Sequence, residues 1–358
     1  MTVRQFWRQV AYAIATVVLT ANAGLAIDTV IRRSTTKPAG GEITSVSQTE
    51  IVVTPKVGQP TKVPANDVVD VDYEAAPPSL RVARSQERGG QYARALETYA
   101  QAAGESPSGN ANLHVEIEFL QSRTQGKLAL GDPTQLTAAA DSLQAFLDRN
   151  QDHYRYYEAQ QLLGEVRLAA DDVDGAEAAF AVVAGAPWID TQMAGKMGSA
   201  RIQFRQGNAA AAQSIFDDVV ANAQGEDPAT AARRLEAMLG QAQCLQAQGH
   251  HDEAIPVYAT VVHDASESDT RVQAEAYVGQ GEAYLAAGDK TKDAITKFLI
   301  VDVVPSLSQH SDLHAQALFE LAQLWPSVGQ PLRGAEASAK LEQEYPNSEW
   351  AKKLSGAE

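Results

Sequence analysis

The sequence has few aromatic residues, a single cysteine and none of the short motifs that mark common active sites. Aromatic residues make up 6% of the 358 residues, whereas hydrophobic residues as a whole make up 44%. A hydrophobic content dominated by small residues favours closely packed helices over a broad enzyme core. A lone cysteine, Cys244, excludes an intramolecular disulfide, and its apolar surroundings predict a buried structural thiol. The absence of GxSxG, phosphate-binding and GxGxxG motifs means that no class of catalysis is indicated.

Basic residues are also scarce, with 29 Lys and Arg against 45 Asp and Glu and a formal net charge of −16 at pH 7. A nucleic-acid-binding protein needs a basic surface that displaces counterions from phosphate, and no cluster of Lys and Arg supplies one. The acidic balance also disfavours adhesion to anionic membrane surfaces. We therefore expect no nucleic-acid partner.

The first 26 residues have the pattern of a secretory signal peptide. Two arginines precede an apolar run at residues 10–20, and small residues follow. The run is shorter than the roughly 20 apolar residues that a membrane-spanning helix needs. We expect cleavage after Ala23 or Ala26 and export to the periplasm or the outside of the cell. The alternative is an inner-membrane anchor through residues 10–26, which is the one case in which we expect membrane contact.

Residues 27–75 are predicted to form a small β-rich module. Short runs of β-branched residues alternate with Gly and Pro, and the stretches 42–46 and 49–54 alternate apolar and polar side chains. This pattern predicts a meander of about five strands. The strand rhythm resembles that of a small SH3-like or Sm-like barrel. The alternative is an irregular β-rich leader that caps the helices after it.

Seven helix-breaking Gly or Asp residues separate helix-like stretches at nearly equal steps of 36 to 42 residues. The seven positions are Gly90, Gly131, Asp171, Gly207, Gly249, Gly288 and Gly329. Such a period is typical of stacked repeats. The sequence therefore predicts a mainly α fold, an α-solenoid of about seven helix pairs over residues 76–350. Residues 351–358 are predicted to be a C-terminal tail.

Small and large residues recur at fixed distances from these breakers. Around Gly249 they are Ala242 seven residues before, Ala254 five after and Tyr258 nine after. The same small–small–aromatic series recurs in four other units, the second unit has a turn longer by three residues, and the last unit lacks the aromatic residue. Small residues let two helix backbones approach, and neither helix buries its apolar face alone. Neighbouring pairs must therefore stack.

This series resembles the motif of the tetratricopeptide repeat family, most closely at residues 164–171 and 281–288. The chain end at residues 344–351 is similar to unit ends in envelope-associated bacterial members. The resemblance implies a helical scaffold whose concave groove, lined by the first helix of each pair, binds a protein or peptide.

The resemblance also places candidate binding residues on the first helices. The exposed positions six residues before each breaker are Arg84, Gln125, Glu165, Arg201, Gln243, Glu282 and Gln323, with Gln121, Gln161, Arg205 and Gln246 near them on the same face. Family members that grip a carboxylate set Lys, Arg and Asn there, whereas this chain has mostly Gln and Glu. Gln both donates and accepts hydrogen bonds, which suits the backbone of an extended peptide. The alternative is that these are solvated helix faces.

The sequence therefore predicts a non-catalytic exported scaffold that mediates protein–protein interaction in the cell envelope. We expect a protein or peptide partner and no small-molecule substrate, cofactor or metal. His310 and His314 have a metal-ligand spacing, but Ser311 stands where zinc proteases have Glu, so both are predicted to be structural. The alternative function is a structural or self-assembling envelope component with no peptide in the groove.

Overall fold

The computed structural model of the protein describes residues 27–225, 227–288 and 290–356. The predicted signal segment, residues 1–26, lies outside these described residues. The strands lie between residues 28 and 72, and the helices begin at residue 78. Within the described residues, no helix is both long and apolar enough to cross a membrane.

The module is a five-stranded antiparallel sheet, which confirms the predicted number of strands. The strands are β1 Asp28–Arg32, β2 Ala39–Val46, β3 Glu50–Thr54, β4 Thr61–Pro64 and β5 Val68–Asp72. Their order in the sheet is β4-β3-β2-β1-β5, because β5 returns to pair with β1. Alternate side chains point to the inside of the module, where Val30, Ile51, Val63 and Val71 are completely buried.

The described helices confirm the predicted solenoid of seven pairs. The first helices of the pairs are α1 Pro78–Arg88, α3 Ala111–Gly131, α5 Tyr156–Ala169, α7 Ile189–Arg205, α9 Pro228–Ala247, α11 Thr270–Ala286 and α14 Ser311–Ser327. The second helices are α2 Tyr92–Glu105, α4 Leu136–Arg149, α6 Val173–Ala184, α8 Ala209–Asn222, α10 His251–Asp264, α12 Thr291–Val303 and α15 Pro331–Glu344. Two short helices complete the described part, α13 Pro305–Ser308 and α16 Glu349–Ser355.

The packing of the helices sets the curvature of the array. Each second helix from α2 to α12 packs between the first helix of its own pair and the first helix of the next pair. From α3 onward, successive first helices also contact one another, whereas successive second helices lie farther apart. The first helices therefore form the inner surface of the solenoid, as the resemblance implies.

Six of the seven breakers adopt the left-handed conformation that ends a helix. Their φ angles lie between 62° at Asp171 and 82° at Gly249. Gly131 differs, because it is the last residue of α3 and its φ is not positive. The longer turn predicted here contains a 3₁₀ helix, Pro133–Gln135, and the side chain of Asp132 accepts the backbone N–H of Thr134. The chain reverses through this extra turn and needs no left-handed residue at Gly131.

The small residue of a first helix meets the aromatic ring of the second helix in the same pair, as predicted. A Cβ atom on Gly164 would lie 2.7 Å from Cε1 of Phe180, and one on Gly281 would lie 2.7 Å from Cζ of Phe298. Both rings are completely buried. Because a side chain at either glycine would collide with the ring, glycine allows the two helices to pack this closely.

A second small position, which the sequence analysis missed, holds the opposite side of the ring. It lies nine residues before the breaker in the next first helix. A Cβ atom on Gly240 would lie 2.5 Å from Cζ of Phe216, and one on Gly279 would lie 2.5 Å from Cζ of Tyr258. Each of these rings is thus held between two successive first helices, and the ring joins one repeat to the next.

The C-terminal helix closes the last pair. Trp350 packs on Phe319 with ring centroids 5.2 Å apart, and Ala351 is buried. Residues 351–358 were expected to be a tail, but their described part continues α16 as far as Ser355. The apolar faces of Trp350 and Ala351 supply the contact that holds this segment as a helix.

The β module and the first three helix pairs share one hydrophobic core, which runs from Val30 to Ala179. Buried ion pairs reinforce the junction. Arg84 lies 2.9 Å from Oδ1 of Asp70 and donates to the carbonyl oxygen of Val71 at 3.0 Å. Its side chain was expected to be exposed in the groove, but it is buried because the module covers this part of α1.

Two buried glutamates balance the basic side chains beneath the module. Glu116 is completely buried and lies 3.1 Å from Arg155. Glu87 accepts two hydrogen bonds of 2.8 Å from Arg123, one of 2.9 Å from Lys127 and one of 2.7 Å from Tyr99. Burial by itself raises the pKa of Glu87, but Arg123 and Lys127 outweigh it and hold the pKa at about 2.

The contact between Gly240 and Phe216 predicts a large cost for one added methyl group. We expect Gly240→Ala to lower the free energy of unfolding by about 1–3 kcal/mol, because the ring has no space to move away. Gly131→Ala is the matched control: nothing lies within 4 Å of its added Cβ atom, and Ala favours the helix by up to about 1 kcal/mol. Urea titration followed by circular dichroism measures both. Equal destabilisation of the two variants would show that the close contact between Gly240 and Phe216 does not limit packing.

The depressed pKa of Glu87 predicts a pH-dependent contribution to stability. The unfolded chain protonates this carboxyl near pH 4.5 and the folded chain near pH 2, so its stabilisation is present above pH 4.5 and is lost as the pH falls toward 2. We expect Glu87→Gln to lower the free energy of unfolding by about 3 kcal/mol at pH 7, and by progressively less below pH 4.5.

The matched control for this prediction is Glu97→Gln, which changes an exposed carboxylate on α2 that has no ion pair within the described residues. Its effect on the free energy of unfolding should be within about 0.5 kcal/mol at every pH. A loss in Glu87→Gln that is constant from pH 7 to pH 2 would contradict the assigned ion pairs.

Candidate functional site

The inner surface of the first helices is the candidate site, and the β module lies against its N-terminal half. Asn66 donates from Nδ2 to Oδ1 of Asp190 at 3.0 Å, and Arg33 lies 3.7 Å from the same carboxylate. Gln48 donates to the carbonyl oxygen of Gln151 at 2.6 Å. The module is therefore held against the ends of α5 and α7, and it divides the inner surface into a covered half and an open half.

Gln246 and Glu282, two of the predicted groove residues, connect neighbouring first helices. Glu282 accepts from Nε2 of Gln316 at 2.6 Å and from Nε2 of Gln246 at 3.4 Å. Gln246 in turn accepts the hydroxyl hydrogen of Tyr258 at 3.0 Å. Burial raises the pKa of Glu282, and the two amide donors only partly offset this rise. These side chains join α9, α11 and α14 in one polar chain.

Arg201 and Arg205 also connect repeats. Arg201 lies 3.8 Å from Glu236 on the next first helix. Arg205 donates to Oδ1 of Asp171 at 2.7 Å and to the carbonyl oxygen of Leu168, so it caps the C-terminal end of α5. Both side chains remain nearly half exposed, which leaves part of each guanidinium open to solvent.

The other predicted residues fall into two groups. Gln243 and Gln323 are exposed on the open half, whereas Gln121 and Gln125 are half-buried on α3. Within the described residues, none of these four side chains forms a hydrogen bond. Gln161 and Glu165 hydrogen bond to each other at 3.0 Å and line a cavity. The structure thus brings Gln161 and Glu165 into one site, but separates them from Arg84, which is buried.

The cavity between the module and the array, which we name the junction cavity, has a volume of about 330 Å³. The array supplies side chains from α3, α5, α7 and α9, and the module supplies Arg33 and Asn66. Its polar and aromatic lining residues include Lys127, Tyr157, Glu158, Trp188, Asp190 and Arg233. Of its lining residues the sequence predicted only Gln161 and Glu165, because no repeat offset marks residues that only the docking of the module brings together.

Comparison with protein families identifies the repeats. A tetratricopeptide repeat model matches residues 197–270 and 239–301, and another tetratricopeptide repeat model matches residues 79–108. A comparison with curated proteins found no match.

Solved structures share the fold at low sequence identity. A tetratricopeptide repeat protein from Parabacteroides merdae ATCC 43184 is 15% identical, the match covers 77% of this chain and 95% of that chain, and the TM-score is 0.50. A Rap protein complexed with Competence and Sporulation Factor is 15% identical over 77% of this chain and 79% of that chain, with a TM-score of 0.51. The apo form of RapI is 13% identical over 76% of this chain and 77% of that chain, also with a TM-score of 0.51.

The matched repeats, the seven stacked helix pairs and the similar solved structures agree with one another. Together they show that the chain contains tetratricopeptide repeats and folds as a tetratricopeptide-repeat-like solenoid with an N-terminal five-stranded sheet.

Proposed function

We propose that this protein is an exported scaffold that binds an extended segment of another envelope or secreted protein along the open half of its inner surface. The observation that carries the proposal is the division of that surface by the β module. The module covers the inner side near α1 and α5, whereas Gln243 and Gln323 remain exposed farther along the array. The scaffold acts by presenting a preorganised surface and not by chemistry.

The chemistry of the open half suits a peptide backbone. Each free Gln side chain offers one acceptor and two donor hydrogens, and an extended peptide presents carbonyl and N–H groups at regular spacing. The polar chain through Gln246, Glu282 and Gln316 holds successive first helices in register, so the surface is ordered before the ligand arrives. Preorganisation lowers the entropic cost of binding. A structurally similar Rap protein has been solved in complex with a factor, which is consistent with a ligand-binding role for the fold.

The proposed function predicts that inner-surface substitutions weaken binding while the fold is retained. Partners captured from envelope extract by the purified full chain are identified, and the affinity of each is then measured by calorimetry. We expect the double variant Gln243→Arg, Gln323→Arg to bind the partner at least about tenfold more weakly, because two bulky charges replace backbone-pairing groups.

Gln343→Arg is the matched control, since it makes the same change at an exposed position on the second helix α15. Its affinity for the partner should equal that of the unchanged protein. Equal affinity for the inner double variant would refute the groove proposal. Light scattering distinguishes the peptide-binding scaffold from the alternative function, a self-assembling component. The measured mass of a self-assembling component rises with protein concentration.

Export predicts that a reporter active only outside the cytoplasm works when it is fused after residue 30. A fusion that lacks residues 1–26 should stay inactive and serves as the control. Recovery of the mature protein in the soluble periplasmic fraction supports cleavage, and recovery in the membrane pellet supports the anchor through residues 10–26. An inactive full-length fusion would overturn the proposed export.

A further inference from the structure

A second cavity of about 560 Å³ adjoins the junction cavity at Trp188. The two cavities share four lining residues, Arg33, Asn66, Trp188 and Asp190. Trp188 is held by an edge-to-face contact with Tyr157, with ring centroids 5.8 Å apart. The two cavities are therefore neighbouring chambers, and both are lined partly by the docked module.

The first chamber is unusually basic for this chain. Four basic side chains, of Arg33, Arg123, Lys127 and Arg233, line it together with three acidic ones, of Glu158, Glu165 and Asp190. The chamber thus carries a small positive balance on a chain whose formal net charge is −16. A low-dielectric pocket strengthens the interaction of such charges with a ligand.

The acidic side chains of this chamber already have partners. Asp190 accepts from Asn66, Glu158 accepts from Arg123 and Arg155, and Glu165 accepts from Gln161. Glu158 is therefore balanced by two arginines and Asp190 faces Arg33, whereas Glu165 has only an amide partner.

Three of the basic side chains keep unused donors. Lys127 donates one hydrogen bond, to Glu87, and its side chain is 40% exposed. Arg233 uses only Nη1, toward Glu236. Arg33 has no side-chain hydrogen bond within the described residues, only its 3.7 Å approach to Asp190. Each of these cations faces one carboxylate, but its remaining N–H hydrogens are open to the chamber and can bind an anion.

The second chamber supplies an apolar wall beside two carboxylates, Asp67 and Asp227, which accept hydrogen bonds from Ser34 and from the N–H of Thr230. Pro64 comes from the module, and Pro187, Ile189 and Pro228 come from the array. Ile189 is 52% exposed although it lies in this concave site. An apolar ligand body would cover Ile189 and the face of Trp188, with a gain of about 25 cal/mol per Å² removed from water.

We propose that the two chambers bind a carboxylate carried on an apolar body. The carboxylate pairs with Arg33, Lys127 and Arg233, and the body lies against Trp188 and Ile189. A chamber of about 330 Å³ is within the range of small-ligand sites. A small amphipathic acid and the carboxyl end of a peptide with an apolar last residue share this chemistry. The site lies apart from Gln243 and Gln323 and goes beyond the proposed function.

Calorimetry on the purified full chain tests the site with four probes: octanoate, octylamine, a short peptide ending in a free leucine carboxylate, and the same peptide as its amide. We expect octanoate, the free-carboxylate peptide or both to bind. Octylamine should bind at least about tenfold more weakly than octanoate, and the peptide amide at least about tenfold more weakly than the free-carboxylate peptide. Binding of octanoate alone assigns the site to small acids, and binding of the peptide alone assigns it to a chain end. Octylamine binding as tightly as octanoate, or no binding of either carboxylate, overturns the proposal.

Variants locate the binding. Lys127→Gln and Arg33→Gln should each weaken binding of the carboxylate probe at least about tenfold, because each removes a cation that lines the chamber. Arg81→Gln, an exposed position on α1 outside both chambers, is the matched control and should bind normally. The Gln243→Arg, Gln323→Arg variant should also bind the probe normally, which separates this site from the open half. Undiminished binding in both Lys127→Gln and Arg33→Gln would overturn the assignment.

Discussion

The array depends on the close approach that glycine allows beside the aromatic ring of a second helix. Phe180 lies between Gly164 of its own pair and Gly198 of the next, and a Cβ atom at either glycine would overlap the ring. The ring therefore fixes two helix–helix distances at once. Because several pairs repeat this contact, the small residues determine how the first helices line up into one inner surface.

Polar side chains then keep successive first helices in register. Gln246, Glu282 and Gln316 form one such connection, and Arg201 with Glu236 forms another. Buried ion pairs do similar work under the β module, where Arg84 and Arg155 face Glu116. Arg84 also pairs with Asp70 of the module at 2.9 Å, and because breaking this contact would weaken the compensation of a buried charge, it ties the module to α1.

The position of the module gives the inner surface two different parts. Near α5 and α7 the surface and the module enclose chambers with open cationic donors and an apolar wall. Farther along, the first helices present exposed amide side chains that face solvent. The first part suits an anionic group on an apolar body, and the second suits an extended backbone. One solenoid thus offers two kinds of recognition.

The sequence by itself determined the seven repeats and the five strands, because breakers, small residues and alternation act over a few neighbouring positions. The inward-facing first helices were implied by the family resemblance. The second small position at Gly240 was missed, since it depends on the aromatic ring of the preceding repeat. The longer turn at Gly131 was predicted, but not that Gly131 itself lacks the left-handed conformation. Only the tertiary structure decided that Arg84 is buried, that Arg205 caps α5, and that Arg33 and Lys127 share a cavity. The burial of Arg84 and the shared cavity depend on where the module docks, whereas the cap formed by Arg205 depends on how α7 packs on α5. No local pattern in the sequence records how such distant segments pack together.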